Sequence, residues 1–378
     1  MSETKNEEMV VTPWEVTGRV DYDKLVKDFG TQPLTAEILE RIKRYTGELH
    51  PQLRRRIFFS HRDLDWILQR YEAGEKFVLY TGRGPSGPVH IGHLVPWMFT
   101  KHLQDKFGVK LYFQMTDDEK YLHRDDCTIS DVEKWTYENI LDIIAVGFDP
   151  KKTRIIVDSK NIDALYKIAV RVAKHMNYST IRATFGFQDS TNIGMIFFPA
   201  LQAAPAFIES ELVGHNVPCL IPAAIDQDPY WRVTRDVAPK LGYYKPAQIH
   251  CRFVPGLGRA GKMSASIPET SIFTIDPPEK AAKKVMHAFT GGRGTIEEQK
   301  RLGANPDICS VFSYDYFLFM DDPEVEDLRF KCLAGDIMCG DCKHVLADRV
   351  KTFLKEHQEK REKAKDRVQE FLFDPKDN

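Results

Sequence analysis

FVLYTGRGPSGPVHIGH, residues 77–93, decides the fold. Its first four residues form a short apolar run, and its middle is rich in glycine and proline. An amphipathic stretch continues from Ile91 to Phe107 and stops at Gly108. A strand that passes through a tight loop into a helix is the unit from which parallel α/β sheets are built. The stretch therefore predicts the first strand, loop and helix of such a sheet.

Further apolar runs, separated by helical stretches, predict the other strands of this sheet. One of the intervening helices is expected to begin at a capping box, residues 130–133, and to end at Gly147. Repeated strand–helix units favour an α/β fold with a Rossmann-type, doubly wound parallel sheet. Ligands in such sheets bind beyond the carboxyl ends of the strands. The other strand candidates are residues 109–115, 155–157, 217–221 and 249–254.

Three segments follow from the change of pattern along the chain. Residues 1–75 are charged and have helical periodicity, so they are interpreted as an N-terminal extension. Residues 76–276 alternate between strand and helix and form the predicted α/β domain. After Pro277-Pro278 the pattern is helical to the end, which predicts a helical C-terminal domain over 277–378.

The composition is that of a soluble globular protein. The 378 residues include 53 basic and 55 acidic side chains, so any surface for a polyanion has to be local. No apolar run reaches membrane-spanning length, and the polar first residues lack the apolar core of a signal peptide. Seven cysteines, an odd number and unevenly placed, argue against a disulfide framework. We expect a cytoplasmic protein without a membrane segment.

The loop after the first strand has the composition of a phosphate-binding site. Its glycines let the backbone approach a bulky ligand, and the N-terminus of the following helix attracts negative charge. His90 and His93 lie three residues apart, so both can face a nucleotide from the first helical turn. Imidazole N–H groups can donate to phosphate oxygens, which makes this histidine pair a candidate catalytic pair; the alternative is two surface histidines at a helix start.

A second motif, KMSAS at residues 262–266, follows a loop that glycines make flexible. Displacement at phosphorus is catalysed mainly by positioning and charge stabilisation. A lysine on a mobile loop can neutralise the phosphates of a departing pyrophosphate, so Lys262 is a candidate catalytic cation. By itself, a loop lysine would be weak evidence.

In this order the two motifs resemble the signatures of class I aminoacyl-tRNA synthetases, except that Ser266 stands where lysine is commoner. With three further segments they resemble, over nearly the whole chain, the archaeal and eukaryotic tryptophanyl-tRNA synthetases. Pro13-Trp14 and residues 21–25 resemble the part of that family that folds over the ATP site. The three segments are residues 80–85, 114–120 and 224–230.

The resemblance implies the substrates, the partners and a set of site residues. It implies that L-tryptophan and ATP with Mg²⁺ form tryptophanyl-adenylate, that tRNA(Trp) receives the acyl group, that the chain is a homodimer and that the helical domain binds the anticodon. The implied ATP site comprises Arg83, Gly84, His90, Gly92, His93, Asp226, Lys262, Met263 and Ser264. The implied tryptophan site comprises Tyr80, Gln114, Glu119, Lys120, Gln202 and Gln227, with Tyr80 and Gln114 assigned to the indole N–H.

Two alternatives remain at this stage. A tyrosyl-tRNA synthetase shares the fold and much of the ATP site, but it typically presents a Tyr–Asp pair to the phenol, whereas this chain has Gln114. A non-catalytic tRNA-binding paralogue often loses the phosphate-contacting residues, whereas His90, His93 and Lys262 are all present. Both features favour the tryptophan enzyme.

Four cysteines in the helical domain follow the spacing C-x22-C-x6-C-x2-C, which suffices for a zinc ion or an iron–sulfur cluster. The spacing resembles that of the [4Fe–4S] site of some tryptophanyl-tRNA synthetases. His344 keeps Zn²⁺ as an alternative, and reduced structural thiols are another. Arg293 occupies a position that resembles the anticodon-side loop of the family, although Gly294 stands where eukaryotic members commonly have Asp. The cysteines are Cys309, Cys332, Cys339 and Cys342.

Overall fold

The computed structural model describes residues 9–12, 16–17, 20–259, 261–264 and 267–376. Pro13-Trp14, Ala265 and Ser266 therefore lie outside the described residues. The described strands form a two-stranded antiparallel sheet and a seven-stranded mixed sheet. The strands are β1 (Val10–Val11), β2 (Val16–Thr17), β3 (Gln32–Pro33), β4 (Phe58–Arg62), β5 (Val78–Arg83), β6 (Leu111–Met115), β7 (Thr153–Val157), β8 (Cys219–Ala224) and β9 (Ala247–Cys251).

The order of the large sheet is β3-β4-β9-β8-β5-β6-β7, and the last five strands of this order are mutually parallel. From β5 the chain moves outward through β6 and β7, then returns to the other side of β5 through β8 and β9. This is the doubly wound order, and its switch point lies between β5 and β8. The predicted fold class is confirmed.

Helices connect and cover the strands. They are α1 (Tyr22–Phe29), α2 (Ala36–Thr46), α3 (Pro51–Arg54), α4 (Leu64–Glu72), α5 (Ile91–Phe107), α6 (Asp117–His123), α7 (Ile129–Val146), α8 (Ile162–Ala173), α9 (Tyr178–Phe185), α10 (Ile193–Ala203), α11 (Pro205–Val213), α12 (Asp228–Val237), α13 (Pro278–Met286), α14 (Ile296–Leu302), α15 (Ser310–Tyr314), α16 (Asp322–Ala334) and α17 (Cys339–Ala364). No single helix in the described ranges is long and apolar enough to cross a membrane, whereas the bent pair α10 and α11 passes that test of length and composition together.

Alternate strand residues point to two separate cores. Leu79 and Phe113 join the core under α5 and α7, whereas Tyr80, Tyr112 and Ile156 join the core under α8, α10 and α12. This division follows from the two-residue period of strand side chains. Tyr80 on β5 and Gln114 on β6 therefore point to the same face of the sheet, the face that α8 and α10 cover.

Helix ends agree with the sequence where a glycine fixes them. Gly108 (φ 65°) ends α5 and Gly147 (φ 94°) ends α7, both in the left-handed conformation that glycine adopts at low cost. The capping box predicted at 130–133 is wrong. Thr128 is the N-cap instead, and it pairs reciprocally with Asp131, because the extended backbone needed at an N-cap occurs two residues earlier.

Both ends of the chain join the large sheet. The predicted N-terminal extension contributes β3 and β4, and β4 pairs antiparallel with β9. At the other end, Phe371 and Phe373 bond to Ile155 along the exposed side of β7. As predicted, the described residues after Pro277 contain helices and no regular strand. Their apolar residues, such as Val285 and Leu354, belong to the same core as α5.

Candidate functional site

A cavity of about 870 Å³ opens at the carboxyl ends of β5 and β8, at the switch point of the sheet. Its position is the one that the doubly wound fold predicts for a ligand, and its size is in the range of small-molecule sites. The predicted site residues that line it are Arg83, Gly84, His90, Gly92, His93, Glu119, Lys120, Gln202, Asp226, Gln227, Lys262, Met263 and Ser264.

The two histidines stack on each other at the start of α5, with ring centroids 3.5 Å apart. Burial lowers the pKa of both rings well below the usual value, and the charge of Arg83 lowers each further. Both rings are therefore neutral at physiological pH. His93 accepts from the backbone N–H of His90 at Nδ1 (3.2 Å), so its own proton lies on Nε2, free to donate.

Gly92 is required by the packing of this turn. A Cβ atom on residue 92 would lie 3.0 Å from Nδ1 of His90 and 3.4 Å from Cβ of Val254. We expected the glycine to make room for a nucleotide, and the structure adds that the His90 ring itself needs the space. Any larger residue would displace His90 from the cavity wall.

Lys262 reaches the cavity from a hairpin loop and forms an ion pair with Asp226 (Nζ to Oδ2, 3.0 Å). The same ammonium lies 5.2 Å from the ring centroid of Phe253. Oδ1 of Asp226 is buried and has no hydrogen-bond partner among the described residues. The pair therefore leaves one carboxylate oxygen available to a donor from a ligand.

The loop that carries Lys262 is attached to α13. The Ser271 hydroxyl donates to the carbonyl of Ser264 (2.7 Å), and the backbone N–H of Ser264 donates back to it (3.2 Å). Lys284 on α13 donates to the carbonyl of Ser271 (2.7 Å) and pairs with Asp276 (2.7 Å). Since Lys284 is buried, this attachment fixes one end of the loop.

Arg83 ends β5 and is held by Asn139 of α7, whose Oδ1 accepts from Nε (3.2 Å). The Asn139 amide also donates to the carbonyl of Gly87 (3.0 Å), which fixes the glycine loop. Burial lowers the pKa of Arg83 to about 10, while the nearby Asp142 and Glu119 raise it. Arg83 therefore remains a cation at neutral pH beside the two neutral histidines.

Glu119 and Lys120 bring opposite charges to the cavity. Glu119 is buried and forms an ion pair with Lys120 (2.7 Å). Lys120 lies across Gly84, where a Cβ would meet its Cε at 2.1 Å. Gln227 follows β8 in a short 3-10 turn and also lines the cavity. A carboxylate, an ammonium and amides thus face one space, a set that suits both ends of an amino acid.

Tyr80 and Gln114 do not line the cavity. Both are fully buried, and they lie behind Gln202, which does line it. The Tyr80 hydroxyl bonds to Oε1 of Gln114 and to the backbone carbonyl of Gln202 (2.9 Å), and it accepts from Nε2 of Gln202 (3.1 Å). The structure therefore brings these three predicted residues together, but it places two of them one layer deeper than a lining residue.

Sequence reasoning missed two residues that support this site. Asn139 holds both Arg83 and the glycine loop, and Asp158 accepts from the Gln114 amide. A signal existed for each of them: Asn139 is a polar residue on the buried face of an amphipathic helix, and Asp158 directly follows a strand of the parallel sheet. Neither signal is specific without the partner that the fold supplies.

The N-terminal extension reaches the same cavity. Tyr22 at the start of α1 is half-buried, and its hydroxyl accepts from the backbone N–H of Phe253 (3.0 Å), a cavity-lining residue. Arg252, the residue before it, lies 4.9 Å from the centroid of the Tyr22 ring. Part of the extension thus packs against the cavity wall.

The four cysteines of the helical segment line one small apolar cavity of about 20 Å³. Burial, together with the neighbouring thiols, raises the pKa of Cys332 to about 11 and that of Cys342 to about 12. Even so, no group of three or more His, Cys, Asp or Glu side chains in the described ranges is arranged to hold a metal ion. The predicted metal site thus has its residues in one place without a geometry for a single ion.

Arg293 lies close to these cysteines. Its Nε donates to the carbonyl of Gly303 (3.0 Å). A Cβ on Gly292, the preceding residue, would lie 2.8 Å from Sγ of Cys339. The loop predicted to contact an anticodon and the cysteine group are therefore neighbours.

A doubly wound sheet with a glycine loop, a histidine pair at a helix start and a lysine on a hairpin loop at its switch point defines the catalytic domain of a class I aminoacyl-tRNA synthetase. Residues 72–355 match the family model described as tRNA synthetases class I (W and Y). A tryptophan–tRNA ligase of Pyrobaculum calidifontis is 52% identical over 371 residues, which cover 98% of this chain and 99% of that protein. One of Thermococcus sibiricus is 54% identical over 370 residues, 97% of this chain and 94% of the relative.

Solved structures agree. The crystal structure of Plasmodium falciparum tryptophanyl-tRNA synthetase superposes with a TM-score of 0.89 at 38% identity, over 95% of this chain and 98% of that one. The chain belongs to the tryptophanyl-tRNA synthetases. The alternatives of a tyrosine enzyme and of a non-catalytic paralogue are not favoured.

Proposed function

We propose that the chain is a tryptophan–tRNA ligase, which activates L-tryptophan with ATP and Mg²⁺ and transfers it to tRNA(Trp). The observation that carries this proposal is the single cavity at the switch point, which both histidines, Lys262 and the amino-acid residues line together. No side chain has to form a covalent intermediate. The carboxylate of tryptophan attacks the α-phosphorus, and pyrophosphate leaves.

In this reaction the charged residues stabilise phosphate oxygens as negative charge develops. His93 donates through Nε2, and neutrality is no handicap because a neutral imidazole N–H is still a donor. Lys262 exchanges Asp226 for the β- and γ-phosphates as its loop closes, while Arg83 adds a fixed cation. The remaining ATP contacts are assigned to Gly84, His90, Gly92, Met263 and Ser264, which line the cavity.

Tryptophan is recognised at both of its ends. Glu119, Gln202, Gln227 and Lys120 serve the amino and carboxylate groups, and their access to the cavity supports that assignment. Tyr80 and Gln114 serve the indole N–H, a group that only donates, and both offer acceptor oxygens. Phenylalanine would leave these buried groups unpaired, which can cost a factor of about 10⁴ to 10⁵ in selectivity.

The first test is aminoacylation of purified transcripts. We expect labelled tryptophan to be transferred to tRNA(Trp) and not to tRNA(Tyr) added as the control. Charging of tRNA(Tyr) with tyrosine, or no charging of either transcript by folded enzyme, would contradict the proposal.

We also propose that Cys309, Cys332, Cys339 and Cys342 hold a [4Fe–4S] cluster. The convergence of four thiols on one apolar cavity supports it. A zinc ion, which would need the four sulfurs at about 2.3 Å from one point, is the alternative that the metal analysis below distinguishes. In a cluster each thiolate binds a different iron, so the sulfurs can lie further apart. A cluster would supply rigidity to a loop region.

Iron and sulfide analysis of anaerobically purified protein tests this assignment. We expect about four irons and four sulfides per chain, and Cys342→Ser should lower both, whereas Cys127→Ser, a half-buried cysteine in another segment, should not. Zinc at one equivalent, or no metal together with full charging of tRNA(Trp), would contradict the assignment.

The remaining assignments concern organisation. We propose a catalytic domain over 76–276 that carries the extension 1–75, and an anticodon-binding domain over 277–378 with Arg293 as a tRNA contact, supported by its exposed edge beside the cysteine cavity. Exposed apolar residues on α8 and α10 support a homodimer. We place the enzyme in the cytoplasm, a reducing compartment that suits cysteines without disulfide partners.

A further inference from the structure

The Gln114 side chain lies between Asp158, which accepts hydrogen bonds from it, and Tyr80, which donates one to it. Its Nε2 donates to both carboxyl oxygens of Asp158, at 2.9 and 2.8 Å. Its Oε1 accepts from the hydroxyl of Tyr80. All three side chains are fully buried, so water cannot substitute for either partner. Which end of the amide faces Tyr80 is therefore decided by Asp158.

The backbone fixes Asp158 at this place. Asp158 directly follows β7, and its backbone N–H donates to the carbonyl of Met115 on β6 (3.1 Å). Gln114 is the residue before Met115, and it pairs with Ile156 in the parallel register. The separation between the Asp158 carboxyl and the Gln114 amide thus follows from sheet geometry rather than from a mobile loop.

Asp118 determines how Asp158 can bond. The two carboxyls are hydrogen-bonded to each other, and burial together with the charge of Asp118 raises the pKa of Asp158 well above the usual range. Burial raises the pKa of Asp118 less far, and the hydrogen bond between the two carboxyls lowers it, so the shared proton lies on Asp158. The hydroxyl of Asp158 is directed to Asp118, and both oxygens of Asp158 still accept from the Gln114 amide, the hydroxyl oxygen through a lone pair.

The hydrogen bonds from Gln114 to Asp158 and from Asp158 to Asp118 therefore run in one direction, with each donor facing Asp118. Asp158 donates to Asp118, and Gln114 donates to Asp158, so the remaining atom of the Gln114 amide is a carbonyl oxygen on the side of Tyr80 and Gln202. Turning the amide over would place its carbonyl against the carbonyl oxygen of Asp158 and leave its two N–H groups without this acceptor. In a buried site that loss is expensive.

We propose that Asp158 is a positioning residue of the amino-acid site: by holding the Gln114 amide in one orientation, it makes the site specific for a ligand edge that donates a hydrogen bond. The proposal rests on the proposed assignment of Tyr80 and Gln114 to the indole N–H. An indole N–H is a donor only and meets the fixed carbonyl. A ring edge with an acceptor in that position faces a carbonyl and is rejected.

The test compares two substrates that differ at this edge: tryptophan and 3-(3-benzothienyl)alanine, in which sulfur replaces the N–H group. Pyrophosphate exchange gives kcat/KM for each, and the ratio of the two values is the readout. We expect wild-type enzyme to prefer tryptophan by about tenfold to hundredfold, the size of a lost buried hydrogen bond. Asp158→Leu should bring the ratio close to one, because the Gln114 amide is then free to turn over.

Asp158→Asn is the conservative variant. Its carbonyl oxygen accepts from Gln114 while its amide donates to Asp118, so it should keep the wild-type ratio. A purely structural role would predict instead that both variants lower kcat/KM for the two substrates alike and leave the ratio unchanged. The proposal is overturned if Asp158→Leu keeps the wild-type ratio. It is also overturned if Asp158→Asn loses the preference for tryptophan as fully as Asp158→Leu does.

Gln114→Leu separates this proposal from the one on which it rests. If Gln114→Leu keeps the wild-type ratio, the assignment of Gln114 to the indole is wrong, and the role of Asp158 falls with it. If Gln114→Leu loses the ratio and Asp158→Leu does not, only the role of Asp158 is wrong. Should Asp158→Leu fail to fold, neutron diffraction of the wild-type protein locates the amide deuterons directly; deuterons directed at Tyr80 overturn the proposal.

Discussion

Lys262 is the residue whose position most directly links a sequence motif to chemistry. Its ion pair with Asp226 holds the ammonium at the cavity, and the hairpin that carries it is attached at one side through Ser264 and Ser271. A cation on such a loop can contribute most when charge develops on the departing pyrophosphate. Its contribution to tryptophan binding should be small, because in the proposed reaction Lys262 contacts the departing phosphates, whereas Glu119, Gln202 and Gln227 bind the amino acid.

Lys262→Ala should therefore slow adenylate formation and leave tryptophan binding nearly unchanged. We expect the rate of tryptophan-dependent exchange to fall about 10²- to 10³-fold, the range for loss of one transition-state contact, while Kd for tryptophan stays within about twofold. Lys280→Ala, an exposed lysine on α13, is the control and should retain both values. A large rise in Kd for tryptophan would contradict the role assigned to Lys262.

The types and places of most site residues could be predicted, whereas their mutual bonding could not. His90, His93 and Lys262 follow from local motifs, and the fold carries them to one cavity. Tyr80 and Gln114 lie deeper than expected because Gln202, more than 80 residues further along, covers them. Asp158 was missed because its effect depends on the register between β6 and β7.

Among the elements, α17 connects the two functional regions. It begins at Cys339, in the cysteine cavity, and its 26 residues span roughly 39 Å at 1.5 Å per residue. Near its other end, His357 bonds to Asp142 (2.8 Å), and Arg361 pairs with Asp142 and with Glu138 (2.6 Å) on α7. Helix α7 also carries Asn139, which holds the glycine loop. Helix α17 is thus attached to the helix that holds the glycine loop of the cavity.

Arg361→Met should destabilise the protein by about 3–5 kcal/mol, because it removes the guanidinium that pairs directly with the buried Asp142 carboxylate. Chemical unfolding in urea measures this change. The adjacent Lys360→Met, at an exposed position on the same helix, is the matched control and should change stability by less than about 0.5 kcal/mol. Equal effects of the two substitutions would show that the buried ion pair contributes nothing to the free energy of unfolding.

Elements that form only through long-range strand pairing could not be predicted from the sequence. Glycines at 108 and 147 set helix ends that the sequence already indicates. Residues 58–62, in contrast, are buried along most of their length and lack the alternation typical of a half-exposed strand. They become β4 only because β9, nearly 190 residues further on, offers an antiparallel edge. No local pattern contains that information.

Across the whole molecule, histidines that are fully or partly buried lower the stability in acid. Burial lowers the pKa of His50 and of His250 to about 4, and that of His61 and His102 in the same direction. The unfolded chain binds these protons near pH 6.5, so unfolding is favoured as the pH falls from 6.5 towards 4. Asp315, whose pKa burial raises to about 6, acts in the opposite sense, since its contribution to stability is lost as the pH rises.

His50→Asn should reduce the acid sensitivity. Asn keeps an acceptor for the backbone N–H of Gln52 at the start of α3 but carries no titrating group. We expect the loss in free energy of unfolding between pH 6.5 and 4 to shrink by up to about 3 kcal/mol. Urea titrations at several pH values measure the slope. An unchanged slope would mean that His50 does not contribute to the acid response.

A second property of the whole molecule is the exposed apolar face of α8 and α10. Ile162, Tyr166 and Val170 follow each other at four-residue intervals along α8, and Ile193 on α10 is 84% exposed. Such a stripe points to an interface, in agreement with the proposed homodimer. The face belongs to the elements that cover the amino-acid side of the sheet.

Ile193→Lys should shift the protein from dimer to monomer, because it places a charge in an apolar contact. Sedimentation velocity at micromolar concentration distinguishes the two states. Ile296→Lys, an equally apolar and 61% exposed position on α14, is the control and should remain dimeric. A wild-type protein that sediments as a monomer would contradict the proposed assembly.

Tryptophan-dependent ATP–pyrophosphate exchange, run over a panel of all twenty amino acids with wild-type enzyme, tests the central assignment most directly. The arrangement of one ATP site, a carboxylate for the substrate ammonium and a buried acceptor pair predicts exchange with tryptophan alone. Tyrosine should give a signal lower by orders of magnitude, because it does not match this site. Exchange that depends on tyrosine, or the absence of exchange with every amino acid, would contradict the account.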